Sequence, residues 1–237
     1  MNIKTKFFIG SILLVMLGSL SAPAQEMNLN MPEHDSKAYY FGLSFGLNFS
    51  QYRIGYDESF IHTDTFKIIQ PHWSPGFNLG LMGNLRLNKR IDLRIVPSLS
   101  FAGKRLVYSK IGAGDSLEDK IIESVYIHFP LQIKFKSDRI KNFRFYGIIG
   151  GKLDYDMAAN ARSRRADEFL KVKPLDLGGE LGVGFEWYYP NFIFSPEIKL
   201  SQGFMNQVYK GDQGVPLSNA IDRLTTRTIV ISIHLEG

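Results

Sequence analysis

Hydrophobic and polar residues alternate strictly between Tyr39 and Ser50. The odd positions hold Tyr, Phe or Leu, and the even positions after Tyr40 hold Gly, Ser or Asn. Because successive side chains of a β-strand point to opposite faces, this segment predicts a strand with one apolar face and one small or polar face. A soluble sheet can show the same alternation, so one such strand does not identify the fold class.

The same alternation returns in seven further segments, with turn-forming residues between them. The predicted strands are Tyr39–Ser50, Pro75–Leu87, Ile91–Tyr108, Ile121–Lys136, Asn142–Asp156, Leu175–Tyr189, Phe192–Met205 and Thr225–Leu235. Repetition of this kind is typical of a transmembrane β-barrel, in which apolar side chains face lipid and polar side chains face the lumen. We therefore predict an all-β fold, an eight-stranded antiparallel up-and-down transmembrane β-barrel of the outer-membrane type.

The connections between the predicted strands alternate in length. The long ones are Gln51–His72, Lys110–Lys120, Met157–Pro174 and Tyr209–Arg223, and the short ones are Asn88–Arg90, Ser137–Lys141 and Pro190–Asn191. Outer-membrane barrels have short periplasmic turns and longer external loops. We therefore expect the N and C termini to be periplasmic.

Aromatic residues gather near both ends of the predicted strands. The periplasmic set is Tyr39, Phe41, Phe135, Phe143, Phe145, Trp187, Tyr189, Phe192 and Phe194. The outer set is Phe49, Tyr52, Trp73, Phe77, Tyr108, Tyr155 and Phe204. Aromatics at two depths are typical of the girdles of a membrane barrel. A soluble sandwich or a lipocalin-like barrel explains the alternation, but it does not explain two aromatic rings.

The first residues predict export. Lys4 and Lys6 precede the apolar run Phe7–Leu20, and the small residues Ala22 and Ala24 follow it. This arrangement is typical of a cleaved signal peptide, because the run is too short and wrongly flanked for a membrane-spanning helix; an uncleaved anchor is the alternative. The predicted organisation is a signal peptide at 1–24, a short polar periplasmic lead at 25–37 and an outer-membrane barrel domain at 38–237.

Composition narrows the possible classes further. The chain contains no Cys, which excludes disulfides, thiol nucleophiles, Cys-ligated zinc and a lipoprotein anchor. Loss of Lys4 and Lys6 lowers the formal charge from +5 to +3, too little to indicate nucleic-acid binding. No other apolar run approaches the roughly 18 residues of a helical span. A closed barrel is therefore the membrane-spanning structure that the sequence allows.

Charged residues of both signs fall on the predicted lumen face. The basic ones are Arg86, Arg94, Lys134, Lys136, Arg144, Lys152 and Lys199, and the acidic ones are Asp92, Asp154, Asp176, Glu180, Glu186 and Glu197. An eight-stranded barrel is only wide enough to hold its own side chains. Because buried charges need partners, we predict a salt-bridged interior, with a narrow ion path as the functional alternative.

Candidate chemical sites are few, and we assign no catalytic, cofactor-binding or metal-binding residues. The histidines are His34, His62, His72, His128 and His234, none at a metal-ligand spacing. An external-loop hydrolase or acyltransferase site can be drawn around His62 with Asp57, Ser59 and Asp64, but nothing in the sequence makes these groups converge. The basic run of Arg162, Arg164 and Arg165 suits lipid phosphates or an acidic partner, and a solvated loop is the simpler interpretation.

Glycines cluster in the fifth and sixth predicted strands. They are Gly147, Gly150, Gly151, Gly178, Gly179, Gly182 and Gly184. No strand-to-helix turn follows them, so they do not form a phosphate-binding loop. We expect them to make room in a tight lumen or to allow sharp bending of the strands.

Several segments together resemble the PorT (SprT) family of outer-membrane barrels. They are ESVYIHFPLQIKFKS at Glu123–Ser137, FRFYGIIGGKLDYD at Phe143–Asp156 and GGELGVGFEWY at Gly178–Tyr188, together with the signal peptide and the tyrosine-rich first strand. The resemblance implies an accessory, non-enzymatic component of type IX secretion and gliding motility, without cofactors or catalytic residues. Its implied partners are outer-membrane lipid and other secretion-machinery proteins, and neither nucleic acid nor a small-molecule substrate. The chain departs from many outer-membrane barrels because it ends Leu235-Glu236-Gly237 and not in an aromatic residue.

Two functional hypotheses remain at this point. The first is an accessory barrel of the type IX secretion machinery that acts by protein contact and is needed for export of cargo proteins. The second is a general surface barrel unrelated to secretion, acting as a small porin, an adhesin or a lipid-modifying enzyme. The sequence favours a non-enzyme because it lacks a convergent polar cluster.

Overall fold

A computed structural model describes residues 29–56, 66–110, 118–159, 170–209 and 221–237. The described strands are β1 (Tyr39–Tyr56), β2 (Phe66–His72), β3 (Ser74–Asn88), β4 (Ile91–Ile95), β5 (Ser98–Lys110), β6 (Glu118–Lys136), β7 (Phe143–Asp156), β8 (Leu175–Tyr188), β9 (Ile193–Gly203) and β10 (Ile221–Glu236). A short 3₁₀ helix, Pro32–Ser36, precedes β1. No helix within these ranges is long and apolar enough to span a membrane.

The strands form a closed antiparallel ring. β1 pairs with β10 on one side and with β3 on the other, and the remaining neighbours follow the order of the chain. β2 and β3 are one strand interrupted at Trp73, and β4 and β5 are one strand interrupted at Val96 and Pro97. Pro97, which has no N–H to donate to a ladder, lies at the second interruption. The ring therefore has eight strands, which confirms the predicted fold class.

The two ends of the barrel differ in their connections. One end carries the start of β1, the end of β10 and the short connections after β3, β6 and β8; we call it the turn end. The opposite end carries the connections after β1, β5, β7 and β9; we call it the loop end.

Side chains alternate between lipid and lumen as predicted. Leu181 and Ile198, in the middle of β8 and β9, are 61% and 51% exposed on the outer face. The inward side chains of the neighbouring positions are buried, and Arg94 and Glu197 are almost fully so. A wall that is apolar outside and charged inside is the arrangement expected of a barrel in lipid.

The predicted loop Gln51–His72 is wrong at both of its ends. β1 continues to Tyr56 in register with β10, and β2 begins at Phe66 and pairs with β5. The polarity of the wall inverts here, because Tyr52 and Ile69 lie inside while Gln70 is exposed. The sequence analysis located each strand by its apolar outward residues. Where the outward residues become polar, it therefore placed the end of the strand too early. Similarly, β6 and β10 begin at Glu118 and Ile221, before the predicted Ile121 and Thr225.

The aromatic belts are confirmed in most positions and wrong in two. At the turn end, Trp187 stacks on Tyr189, and Tyr189 stacks on Phe192, on the outer surface. At the loop end, the outward aromatics are Phe49, Trp73, Phe77, Tyr155 and Phe204. Tyr52 and Tyr108 are instead buried inside the barrel, because each shares the parity of the inward residues of its own strand.

Candidate functional site in the lumen and at its ends

A buried ion pair occupies the middle of the lumen. Arg94 on β4 and Glu197 on β9 face each other across the interior, with 2.5 Å between Nη2 of Arg94 and Oε2 of Glu197. Arg94 also donates from Nε to Oε1 of Gln132 at 2.8 Å, and the hydroxyl of Tyr146 donates to Glu197 at 3.0 Å. These contacts join β4, β6, β7 and β9 across the width of the barrel.

Glu180 on β8 extends this network towards the loop end. Its carboxylate accepts from the Gln132 side chain at 2.6 Å and lies 3.2 Å from Nζ of Lys199. Nε2 of His128 lies 3.2 Å from the other carboxylate oxygen, and Nδ1 of His128 contacts Asp154. Both nitrogens of this histidine therefore face carboxylates, which is a polar network and not a metal-ligand arrangement.

A second group of charges fills the lumen near the turn end. Asp92 accepts from the Tyr40 hydroxyl at 2.7 Å and lies 2.7 Å from Nζ of Lys136. Lys134 lies 2.5 Å from Glu186 and 3.5 Å from Glu236. The predicted salt-bridged interior is thus present, and the register of the strands decides which charges meet.

One polar cavity remains on the loop-end side of these networks. It has a volume of about 40 Å³ and includes Lys104, Tyr126 and His128 in its lining. Nζ of Lys104 lies over the rings of Tyr52 and Tyr126, 4.8 Å and 4.1 Å from their centroids. A space of this size holds a few water molecules and no larger ligand.

Glycines in β7 and β8 make room for lumen side chains, as expected. A Cβ on Gly184 would lie 2.5 Å from the ring of Tyr146, and one on Gly182 would lie 3.0 Å from the side chain of Ile148. A larger residue at Gly184 would displace Tyr146 from Glu197. Gly147, Gly151 and Gly179 share the outward parity of their strands, so only part of the glycine cluster makes room in the lumen.

The segment before β1 folds over the turn end. The backbone N–H of Asn30 donates to Oδ1 of Asn142 at 2.9 Å, and its side-chain amide donates to the carbonyl of Tyr188 at 3.0 Å. Asp35 lies 2.8 Å from Arg144 and 3.1 Å from Arg139. The prediction of a polar, unpatterned lead missed this closure. The excess of one basic residue among the predicted inward charges did not indicate it, because Glu236 supplies a further buried carboxylate beside Lys134.

His34 is the centre of this closing segment. Its ring is 2% exposed and meets the ring of Tyr40 edge-on at 4.6 Å, with Tyr188 at 6.0 Å. Its carbonyl accepts from Nη1 of Arg86 at 2.7 Å. Neither ring nitrogen has a hydrogen-bond partner among the described residues. The ring therefore packs as an apolar group and is held in its neutral form.

Burial and nearby charges shift the pKa values of His34 and Asp35 in the closing segment. Burial lowers the pKa of His34 to about 4. The carboxylates of Glu186 and Asp35 oppose that change, and the charges of Arg86 and Lys37 add to it. For Asp35, partial burial raises the pKa, but the guanidinium of Arg144 outweighs it and leaves the pKa below its ordinary value.

Mild acid is expected to release residues 29–38 from the turn end. The docked His34 has a pKa of about 4, against an ordinary value of 6.5. Between these values the detached segment binds a proton that the docked one excludes, so docking weakens as the pH falls through this window. The difference corresponds to at most about 3 kcal/mol. Hydrogen exchange of the peptide covering 29–38 should rise accordingly. The variant His34→Phe should show no such rise, and an equal rise in both proteins would contradict the assignment.

The loop end is closed by a small apolar core inside the barrel. Its members are Tyr52, Ile69, Leu106, Tyr108, Leu170, Val172, Val208, Ile221 and Leu224. The segments after β7 and β9 enter this core, and Val172 and Val208 form an isolated antiparallel bridge there. Leu170 and Val172 lie within the predicted connection Met157–Pro174 and Val208 lies just before Tyr209–Arg223, so the alternation of the strands did not indicate this core.

The remaining chemical candidates do not converge. His34 and His234 are buried in separate surroundings, His128 is partly buried beside Asp154 and Glu180, and His72 is exposed. The parts of the chain that the structure describes contain no cluster of three or more His, Cys, Asp or Glu side chains suited to a metal ion. The hydrolase or acyltransferase site considered around His62 and the basic run at 162–165 lie outside the described residues.

Comparison with known proteins is consistent with this geometry. The family model of the outer membrane protein beta-barrel domain matches residues 24–208. No curated protein matches the chain. Among solved structures, the attachment invasion locus protein Ail of Yersinia pestis, crystallised with the heparin analogue sucrose octasulfate, is 13% identical. That match covers 85% of this chain and 100% of Ail, with a TM-score of 0.36.

Two further solved structures are similar at the same level. OprG from Pseudomonas aeruginosa is 11% identical over 84% of this chain and 95% of its own, with a TM-score of 0.44. Neisserial surface protein A is 9% identical over 82% of this chain and 95% of its own, with a TM-score of 0.40. The family match covers most of the chain and agrees with the closed eight-stranded ring, so the protein belongs to the outer membrane protein beta-barrel domain family.

Proposed function

We propose that this protein is a non-conducting outer-membrane barrel that serves protein export as an accessory component of the type IX secretion machinery, by contact with other proteins. The observation that carries the non-conducting part is the filled lumen. The pair Arg94–Glu197 crosses its centre, the segment around His34 covers one end, and an apolar core occupies the other. A lumen with this content suits a scaffold better than a porin.

The secretion role is supported by the sequence resemblance to the PorT family. That resemblance runs through Glu123–Ser137, Phe143–Asp156 and Gly178–Tyr188, which form much of β6, β7 and β8. No catalytic role is part of this proposal. The main charged groups inside the lumen pair with one another, as Arg94 does with Glu197 and Lys134 with Glu186, and a catalytic centre needs groups that can reach a substrate.

The proposed orientation places the turn end in the periplasm and the loop end outside the cell. Short periplasmic turns and longer external connections are the rule for outer-membrane barrels. Loops on a rigid scaffold commonly carry function. We therefore infer that the connections at the loop end meet machinery proteins or surface lipid during cargo export.

Deletion of the gene is expected to leave cargo proteins unexported while the envelope stays intact. The test compares secreted cargo in the culture medium of the wild-type, deleted and complemented strains, with leakage of a periplasmic marker as the control for integrity. Normal export in the deleted strain would refute the secretion role. Lost surface adhesion or altered permeability together with normal export would instead support a general surface barrel.

Replacing loop-end connections tests whether the proposed contacts lie in the loops or on the barrel wall. Short Gly-Ser connections in place of 57–65 and 160–169 preserve every described strand residue, and they spare Leu170 and Val172 of the apolar core. The replaced barrel should still insert but should fail to support export. Normal export by this variant would place the contacts in the loop-end connections after β5 and β9, on the barrel wall or at the turn end.

A further inference from the structure

Three arginines lie on the outer wall just beyond the apolar band of β1 and β10. Phe49 pairs with Ile229 in the last apolar row of these two strands at the loop end. In the next rows Gln51 pairs with Arg227, Arg53 with Thr225 and Gly55 with Arg223. Since a strand rises about 3.3 Å per residue, the backbone positions of Arg227, Arg53 and Arg223 lie roughly 7, 13 and 20 Å along the strands from this apolar row.

A cleft opens between Arg53 and Arg223, and Arg227 lies beside it in contact with the cleft residue Gln202. The cleft has a volume of about 350 Å³, and its walls include Arg53, Arg223, Gln202, Phe204 and Thr225. Phe204 is 60% exposed and belongs to the aromatic belt at this end. Because aromatic belts lie at the level of lipid headgroups, the cleft opens at the membrane interface.

Two of the guanidinium groups are held in place by backbone-anchored contacts. The side-chain amide of Gln202 donates to the carbonyls of Gly203 and Thr226, both at 2.9 Å. Its oxygen in turn accepts from Nε of Arg227 at 3.0 Å. Arg223 donates from Nη2 to the carbonyl of Phe204 at 3.3 Å. These contacts occupy only part of each guanidinium and leave other N–H groups of both arginines without a partner within the described ranges.

The arginines at the cleft differ from two other exposed arginines, each of which pairs with a carboxylate. Arg90 pairs with Asp138, and Arg105 pairs with Asp119. Arg53, in contrast, has no hydrogen-bond or ion-pair partner among the residues that the structure describes.

Few carboxylates accompany these arginines in the part of the chain that the structure describes. Among the described residues of β1, β10 and the end of β9 at this level, Asp222 is the acidic one. Within those residues, three arginines and one carboxylate therefore lie beyond the apolar band.

We infer that this cleft binds the phosphate groups of lipid headgroups in the leaflet at the loop end. A planar guanidinium presents two parallel N–H groups to a phosphate, and such charge-assisted pairs are strong. The lipid fits this place better than a soluble anion, because Phe204 and the apolar band below it can contact the rest of the lipid. The site is separate from the lumen and from the loop-end contacts proposed for export.

The test uses the full-length mature barrel in detergent and measures lipid affinity by native mass spectrometry. The probe is lipid A with both phosphate groups, compared with the same glycolipid after removal of its phosphates. The variant is Arg53→Gln, Arg223→Gln and Arg227→Gln combined, and the matched control is Arg105→Gln, which removes an exposed arginine of β5 that has its own carboxylate. Unchanged gel migration without boiling verifies that each barrel is closed.

The triple substitution is expected to weaken binding of phosphorylated lipid A about tenfold or more, while the control binds like the wild type. The wild type should bind the dephosphorylated glycolipid as weakly as the triple variant does. Equal affinity of the wild type and the triple variant would overturn the site. Equal affinity of the wild type for both glycolipids would do the same. Displacement of the lipid by millimolar inorganic phosphate would show a free-anion site and overturn the lipid assignment.

Discussion

Replacing Arg94 by methionine is expected to destabilise the folded barrel by about 3–5 kcal/mol, because it leaves a buried carboxylate without its main partner. Glu197 would keep the Tyr146 hydroxyl at 3.0 Å and His234 at 3.6 Å, which replace only part of the lost interaction. Gln132 would lose the donor at its side-chain oxygen. Reversible urea unfolding in lipid vesicles, followed by tryptophan fluorescence, measures the change.

The double variant Arg94→Met with Glu197→Met is the matched control. Replacing both members of a buried pair by apolar residues of similar volume is commonly close to neutral, so most of the loss should be recovered. A double variant that loses the full sum of the two single losses would show that Arg94 and Glu197 act independently. That result would contradict the buried pair across the lumen.

Replacing Leu181 or Ile198 by arginine is expected to cost about 2–4 kcal/mol, because both side chains face lipid near the middle of their strands. The lumen variant Ser201→Ala is the control. Ser201 lies on β9, is buried, and its hydroxyl has no hydrogen-bond partner among the described groups, so its loss should change stability little. The same unfolding measurement applies to both. Equal tolerance of the lipid-face and lumen variants would mean that the two faces of the wall are wrongly assigned.

The wall of the barrel could be predicted from the sequence because its two faces have different surroundings. Successive residues of a strand alternate between these faces, so apolar and polar residues alternate as well. Lipid on one side and a polar lumen on the other put Leu181 outside and Glu180 inside. The same rule failed past the edge of the apolar band. There the barrel interior is apolar, so Tyr52 and Tyr108 face inward although they are aromatic.

The partners inside the lumen could not be predicted from the sequence. Alternation indicated that Arg94, Lys134, Glu186 and Glu197 face inward, and all four do. Which charge meets which depends on the relative height of strands on opposite sides of the ring. Arg94 and Glu197 are 103 residues apart and do not lie on neighbouring strands, so no local pattern relates them.

The closing segment at the turn end was missed for a similar reason. Residues 29–38 have no periodicity, and their contacts are single hydrogen bonds and ion pairs to distant parts of the chain. Asp35, for example, meets Arg144 after 109 residues.

Conductance in planar lipid bilayers tests the central claim most directly, since the account requires a lumen filled by paired charges and covered at both ends. Purified mature protein should insert, migrate differently on a gel when boiled and unboiled, and show no steady current at neutral pH. A known porin reconstituted in the same way supplies the positive control. Steady, large single-channel currents from the inserted protein at neutral pH would contradict the filled lumen and the proposed role as a non-conducting scaffold.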